Sequence, residues 1–213
     1  MYKKYIKRIL DALLAFWVLT ILSPVFLLMT VLGAIIQGGN PFYTQRRPGK
    51  NGECFRLIKF RSMNNKRDEK GQLLPDAQRV TGYGRFIRAT SIDELPEFLN
   101  ILKGDMAFIG PRPLLEEYLP YYTEEEMRRH EVLPGLTGLA QVSGRNGLSW
   151  EERFRLDVRY VDTVSFGLDV RIVFRTVKAV LCRSGVQVDT AKEEGNFARI
   201  REAQLQEKRQ GVC

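Results

Sequence analysis

Two adjacent carboxylates, Asp93 and Glu94, stand in the stretch S-I-D-E-L-P-E-F-L-N from Ser91 to Asn100, with basic segments on both sides. Pro96 follows closely and fixes where a helix can begin, because its ring donates no hydrogen bond and clashes with a preceding turn. With Asp93 as N-cap, Pro96 falls at the third helical position, where a missing N–H costs nothing. With Ser91 as N-cap and Glu94 closing a capping box, Pro96 lies one turn deeper. Either way Asp93 sits at the positive end of a helix, whose field favours the ionised carboxylate. Such a group can be a nucleophile, a metal ligand or only a cap, and capping is the common use of aspartate. The single histidine, His130, argues against a Ser-His-Asp triad, a His pair or a multi-His metal site. Cys54, Cys182 and Cys213 are far apart and form no CxxC pair, so neither a disulfide framework nor a zinc site is implied.

The elements around the pair carry cations. Residues 54 to 60 read as a strand, and period two puts Phe55, Leu57, Lys59 and Arg61 on one face. Lys59 and Arg61 then point into a site, or end the strand in solvent. Residues 64 to 82 read as a mobile loop, a candidate lid. Gly84 to Thr90 brings Arg85 and Arg88 up to Asp93. The helix from about 92 to 102 buries Leu95, Phe98, Leu99 and Leu102 and ends at Lys103-Gly104. Prolines on both sides of Arg112 leave its backbone little freedom, which suits bidentate phosphate binding; an idle surface turn is the plain alternative.

Thr123 to Glu126 is a capping box opening a short charged helix that carries His130 at the surface. The glycine-rich stretch Leu133 to Gly147 matches neither nucleotide-binding glycine fingerprint, yet its turns with Arg145 could cradle an anion. Ser149 to Glu152 opens a helix with Trp150, Phe154, Val158 and Val161 toward the core and an Arg153–Asp157 pair on its face. After Asp169, Arg171, Arg175 and Lys178 run beside Ile172, Phe174, Val177 and Leu181, as on a helix at a lipid interface or with a solvated face. The tail beyond Gly185 is polar with weak helical potential.

The 213 residues suit one domain or one domain with an appendage, and 44% hydrophobic content describes a globular chain. A net charge of +8 favours anionic partners: nucleic acid, anionic lipid or a phosphorylated substrate. Residues 12 to 36 carry no charge and are long enough to cross a bilayer. They do not look like a cleaved signal peptide. Ser23-Pro24 interrupts the run, and both flanks are basic, with Lys3, Lys4, Lys7 and Arg8 before it and Arg46, Arg47 and Lys50 after it. Positive charge marks the cytoplasmic side, so two basic flanks fit a re-entrant hairpin as well as a kinked span. Backbone freed by Pro24 needs a partner, and Ser23 is placed to supply one. The anchor makes lipid and phosphate better partners than nucleic acid.

The ordered pieces Q-R-R-P-G, K-F-R-S-M, I-R-A-T-S-I-D-E-L-P, N-I-L-K-G-D-M-A-F-I-G-P-R-P, R-H-E-V-L-P-G-L-T-G-L-A-Q-V-S-G-R-N and an L-D-V segment, with S-P in the apolar run, resemble the bacterial sugar transferases over Met1 to Gly185. These are monotopic phosphoglycosyl transferases that start glycan assembly on polyprenol phosphate. The length resembles their small members, including those that initiate bacterial N-linked protein glycosylation.

The resemblance implies an α+β, mainly helical fold. A re-entrant membrane anchor would occupy residues 1–39, with its break at Ser23 and Pro24. A catalytic domain with short strands and interfacial amphipathic helices would occupy 40–185 at the cytoplasmic face of the inner membrane, and a polar tail 186–213. It implies transfer of sugar 1-phosphate from a UDP-sugar, with an N-acetylated amino sugar favoured, to undecaprenyl phosphate, releasing UMP. Asp93 would be the nucleophile of a ping-pong mechanism and a ligand of Mg²⁺, with Glu94 assisting. Lys59, Arg61, Arg88, Arg112 and Arg145 would offset the charge of two phosphate groups meeting one carboxylate. In this scheme Arg88 holds the acceptor phosphate, and Arg112 and Arg145 hold the nucleotide end. Downstream glycosyltransferases and a second copy of the chain are candidate partners. The competing reading is a non-catalytic membrane scaffold of a glycan assembly complex, with the carboxylate pair as a helix cap.

Overall fold

A computed structural model describes residues 1–144, 147–181 and 197–210. The charge-free run folds into two helices, α1 (Lys7–Ile21, preceded by a π-helical turn Tyr2–Ile6) and α2 (Ser23–Gln37), bent by 67° at the break. Pro24 lies in the first turn of α2, where proline is tolerated. Its missing N–H would have bonded the carbonyl of Thr20, and the Ser23 hydroxyl donates to that carbonyl instead, at 2.8 Å. The expected partner of the freed backbone is therefore present. Among the described residues no single helix is long and apolar enough to cross a membrane, but the bent pair together is. Much of its apolar surface faces outward: Trp17, Ile21 and Leu27 are exposed, and Ile35 is 71% exposed.

The chain then forms an antiparallel hairpin, β1 (Phe42–Pro48) and β2 (Cys54–Phe60), with Phe42 opposite Phe60 and Pro48 opposite Cys54. The loop from 61 to 81 is closed on itself by bridges Met63–Val80 and Arg67–Leu73 and by the short helix α3 (Asp76–Arg79). Thr81 caps α4 (Gly82–Ala89) by accepting from the amide of Gly84. A single 3-10 turn, Ile92–Glu94, precedes α5 (Glu97–Lys103), which Gly104 ends in the left-handed conformation with φ 97°.

Beyond it lie β3 (Ala107–Ile109), α6 (Glu124–Met127), β4 (Gly135–Thr137), α7 (Leu139–Ser143), α8 (Trp150–Thr163), α9 (Phe166–Leu181) and α10 (Phe197–Gln210). β3 and β4 pair in parallel. Few short strands among many helices agree with an α+β, mainly helical fold.

Three packed clusters hold the chain together. The first joins Ala15 and Met29 of the bent pair to Leu57, Phe60, Ile87, Leu95, Phe98, Ile101 and Met106, so the apolar N-terminal helices are part of the core. The second is aromatic, built on Tyr118, Phe154 and Phe197. The third packs Ile109, Tyr160 and Ile172.

Several expectations are corrected. His130 is buried, 6% exposed, because its ring Nδ1 meets the carbonyl of Gly49 at 3.1 Å beneath the hairpin turn. Asp157 is buried too, and the hydrogen bonds it accepts among the described residues come from Arg129; Arg153 lies over the Trp150 ring and acts on Asp157 as a neighbouring charge. Gly135 and Gly138 allow close backbone packing: a Cβ on Gly135 would meet the amide nitrogen of Gly110 at 2.0 Å, and one on Gly138 the carbonyl of Gly110 at 2.1 Å. The tail, expected to have weak helical potential, contains the fourteen-residue helix α10. In α9, Phe174 and Val177 are exposed beside Arg171, Arg175 and Lys178, while Ile172 turns inward.

Candidate active site

The carboxylate pair sits at a junction of the 3-10 turn, β2 and the loop after β3. Ser91 enters the turn in the left-handed conformation, φ 55°, and makes no side-chain cap. Asp93 and Glu94 lie inside the turn, four and three residues before Glu97, the first residue of α5, and Pro96 flanks α5 as its N-cap. Neither arrangement expected from the sequence, Asp93 as cap or a Ser91–Glu94 box, is formed. The physical reason is the left-handed Ser91, which turns the chain before a helix can begin.

Lys59 and Arg112 converge on one oxygen of Glu94. Lys59 Nζ donates to Glu94 Oε1 at 2.9 Å, and Arg112 Nη2 donates to the same atom at 2.7 Å. Lys59 also reaches Glu97 Oε1 at 3.1 Å. Glu97 is the residue the sequence reading missed. Its side chain is 3% exposed, and it makes a third carboxylate in the same small volume. The signal was its position three residues after Glu94, which on helical geometry returns to the same side. Arg88 approaches from α4, with Nε donating to Ser62 Oγ at 2.8 Å, and acts on Asp93 through its charge. The Arg61 backbone is bonded to Pro41 and to the Gln37 side chain, and no hydrogen bond or ion pair from its side chain to Asp93 or Glu94 is seen among the described residues. Arg145 lies outside the described residues.

The electrostatics divide the three acids. Burial pushes Asp93 up, the neighbouring Glu94 adds to it, and Lys59, Arg88 and Arg112 recover only part, leaving it at about 6. Burial pushes Glu94 up as well, but Arg112 and Lys59, both hydrogen-bonded to it, outweigh that and hold it well below the usual carboxylate range. Glu97 is raised by burial, with Lys59 opposing. Burial works against the Lys59 ammonium, yet Glu94 and Glu97 overcome it, so Lys59 stays charged. The expected field of a helix start therefore does not keep Asp93 fully ionised. One short turn supplies little dipole, and burial beside a second carboxylate dominates. At neutral pH Asp93 is nevertheless mostly a carboxylate, and it has no hydrogen bond or ion pair among the described residues.

That combination suits nucleophilic attack on phosphorus: an ionisable carboxylate without a bonded partner, cations beside it, and a second carboxylate that fixes those cations. Among the described residues no group of three or more His, Cys, Asp or Glu could hold a metal alone. Mg²⁺ commonly takes one or two carboxylates plus substrate phosphates and water, so it does not require a protein cage of three acids.

Asn100 supports the site from behind. Fully buried, it accepts from the amide of Ile58 at 3.0 Å and donates to the carbonyl of Arg56 at 2.8 Å and to Asp105 at 3.0 Å, clamping α5 to β2. Arg112 is held by its own backbone. The carbonyl of Pro111 accepts from the amide of Gly135 at 2.9 Å, that of Arg112 from Arg129 at 2.8 Å, and that of Pro113 from Arg47 at 3.4 Å.

Comparison with known proteins gives one consistent result. The family model described as bacterial sugar transferase matches residues 2–183. An uncharacterized sugar transferase, EpsL, of Bacillus subtilis is 52% identical, covering 85% of this chain and 90% of that protein. The UDP-glucose:undecaprenyl-phosphate glucose-1-phosphate transferase of Caulobacter vibrioides is 37% identical over 82% of this chain and 69% of its own length. The undecaprenyl-phosphate galactose phosphotransferase of Salmonella typhimurium is 36% identical over 85% of this chain and 42% of its own.

Proposed function

We propose, from the premise that the chain belongs to the bacterial sugar transferase family, that it transfers sugar 1-phosphate from a UDP-sugar to undecaprenyl phosphate. The products are undecaprenyl-diphospho-sugar and UMP. The general activity, that of a phosphoglycosyl transferase, is carried by the family and by relatives named for it. The observation that carries the assignment to this site is the unbonded Asp93 carboxylate beside Glu94, with Lys59 and Arg112 bonded to Glu94.

In the first half-reaction an Asp93 oxygen bonds to the β-phosphorus of the donor. The bond from that phosphorus to the bridging oxygen breaks, and UMP leaves with the electron pair. In the second, an oxygen of undecaprenyl phosphate bonds to the same phosphorus and the Asp93 carboxylate is released. Glu94 is held ionised by its two cations, so its part is to keep Lys59 and Arg112 turned toward the phosphates; it is a poor proton acceptor near neutrality. Arg112 has donors beyond the one given to Glu94, because a guanidinium carries five N–H groups. Asp93 would hold Mg²⁺, which would supply neutralisation of the diphosphate charge.

The exposed apolar helices α1 and α2, bent at Ser23-Pro24 between basic flanks, support a re-entrant anchor over 1–39 entering the inner membrane from the cytoplasmic face. In this reading residues 40–185 form the catalytic domain and 186–213 the tail. The resemblance to the family's small members favours an N-acetylated amino sugar, whereas the Caulobacter and Salmonella relatives are named for glucose and galactose.

The test is UMP release by purified protein with undecaprenyl phosphate, Mg²⁺ and a panel of UDP-glucose, UDP-galactose and UDP-N-acetylated amino sugars. Turnover on at least one donor is expected, with a loss of about 10³-fold or more in Asp93→Asn. No UMP from any donor would favour the scaffold reading, and full activity in Asp93→Asn would remove Asp93 as nucleophile. Arg88→Ala should raise KM for the acceptor and Arg112→Ala for the donor; the reverse pattern swaps their roles.

A further inference from the structure

Proline offers a turn no N–H, so a Pro-Arg-Pro segment can be fixed only through its carbonyls and its packing. The carbonyl belonging to Arg112 itself is taken by Arg129 Nη2 at 2.8 Å. Arg129 is 2% exposed and is held in turn by Asp157, with Nε at 3.1 Å and Nη2 at 2.7 Å from one oxygen, and by the Tyr122 hydroxyl at 3.4 Å. Its guanidinium lies over the Tyr122 and Phe154 rings, 5.8 and 5.6 Å from their centroids. Both rings pack on Phe197 of α10, at 5.7 and 5.1 Å between centroids, and Phe197 is 1% exposed. Arg201, one turn on, pairs with Glu126 and lies over the Phe197 ring. α10 lies beyond the residues that the family model matches, 2–183.

We infer that Arg129 is a positioning residue that holds the Arg112 guanidinium on Glu94, and that Phe197 of the C-terminal helix completes the aromatic housing that keeps Arg129 in place. A buried ion pair alone is weak evidence of a stabilising role, since burying its charges offsets much of their attraction. Here the pair has a further job. A planar fork reaches Asp157 and the Arg112 carbonyl together, which a lysine ammonium at the end of a flexible stem does not reproduce. The housing is assembled from α8, the segment before α6, and α10, so a segment outside the matched region reaches Arg112 through three successive contacts, Phe197 to the rings, the rings to Arg129, and Arg129 to the Arg112 carbonyl. The inference rests on the function proposed above only for its kinetic arm.

The experiment is arginine side-chain Nε–Hε NMR on the full chain in lipid nanodiscs, with the Arg112 signal identified by its loss in Arg112→Lys. In Arg129→Lys and in Phe197→Leu that signal is expected to shift and to exchange faster with water, while the Arg85 signal stays. Phe197→Leu keeps the inference testable if Arg129→Lys does not fold. An Arg112 signal that stays in place while the Trp150 indole signal moves would overturn it, because the housing would then be disturbed without consequence. In turnover, both variants should lose between about 10- and 100-fold in kcat/KM. That loss should fall below about two-fold in an Arg112→Lys background; losses that multiply there would mark a merely structural role. Absence of turnover in the wild type would sink the proposed function, and the NMR arm would still decide this inference.

Discussion

Three carboxylates within five residues of sequence end in different states because their partners differ. Glu94 receives two hydrogen-bonded cations, Glu97 shares one, and Asp93 receives charge only through space. The Asp93 carboxyl rises from its ordinary 3.8 to about 6, so the folded chain binds a proton there that the unfolded chain has released. Stability from this group is therefore present below about pH 4 and is lost as pH rises toward 6. Asp93→Asn should melt at a higher temperature than the wild type at pH 7.5, by on the order of 1–2 kcal/mol after allowance for solvent screening. The advantage should shrink as pH falls to about 4; a difference constant across pH would mean that burial of charge is not its cause. By the same titration, wild-type turnover should decline below about pH 6 as the nucleophile is protonated.

At the scale of elements, the parallel pair β3 and β4 is short and owes its register to close backbone approach. Gly135 has no room for a side chain against Gly110 and Thr137, and the three nearest atoms are all backbone, so none of them can rotate away. Gly135→Ala should cost about 1–3 kcal/mol through overpacking, read as a lowered melting temperature in detergent. A fall of that size with a folded product would confirm that these glycines serve the strand pair that carries Pro-Arg-Pro. An unchanged melting temperature would reopen an anion cradle. The break between α1 and α2 is the opposite case, legible from two letters, since Pro24 removes one donor and Ser23 replaces it locally.

For the whole molecule, the apolar anchor is tied into the site. Arg8 of α1 donates to the carbonyls of Ile101 and, at 2.8 Å, Leu102, the open end of α5. Lys7 bonds Asp169 at 2.9 Å, and Asp11 accepts from the amide of Phe108 at 3.2 Å. Tyr160 closes the same network, its hydroxyl donating to Asp169 at 2.8 Å with the carbonyl of Ile109 3.1 Å away. In the proposed re-entrant anchor, an α1 that caps α5 beside the Asp93–Glu94 turn would couple depth in the lipid to the geometry of the site. Arg8→Ala should destabilise the chain by about 1.5–3 kcal/mol and lower turnover, while vesicle flotation is unchanged, because the apolar surface of α1 and α2 is untouched. Loss of flotation in that variant would mean that Arg8 serves the lipid interface instead.

The sequence by itself determined the features that depend on near neighbours in the chain: the apolar run and its break, the hairpin strand at 54–60, both capping boxes, the Gly104 stop and the rigid Arg112 turn. The ordered motifs named the family from the same letters. Tertiary structure decided the rest. It buried His130 under Gly49, gave Asp157 to Arg129 twenty-eight positions away, added Glu97 to the acids, and replaced the expected cap at Asp93 with a 3-10 turn. Each of these turns on burial or on a partner distant in sequence. A carboxylate's charge in a folded chain is set by how much water it loses and which cations replace that water, and neither can be counted along the chain.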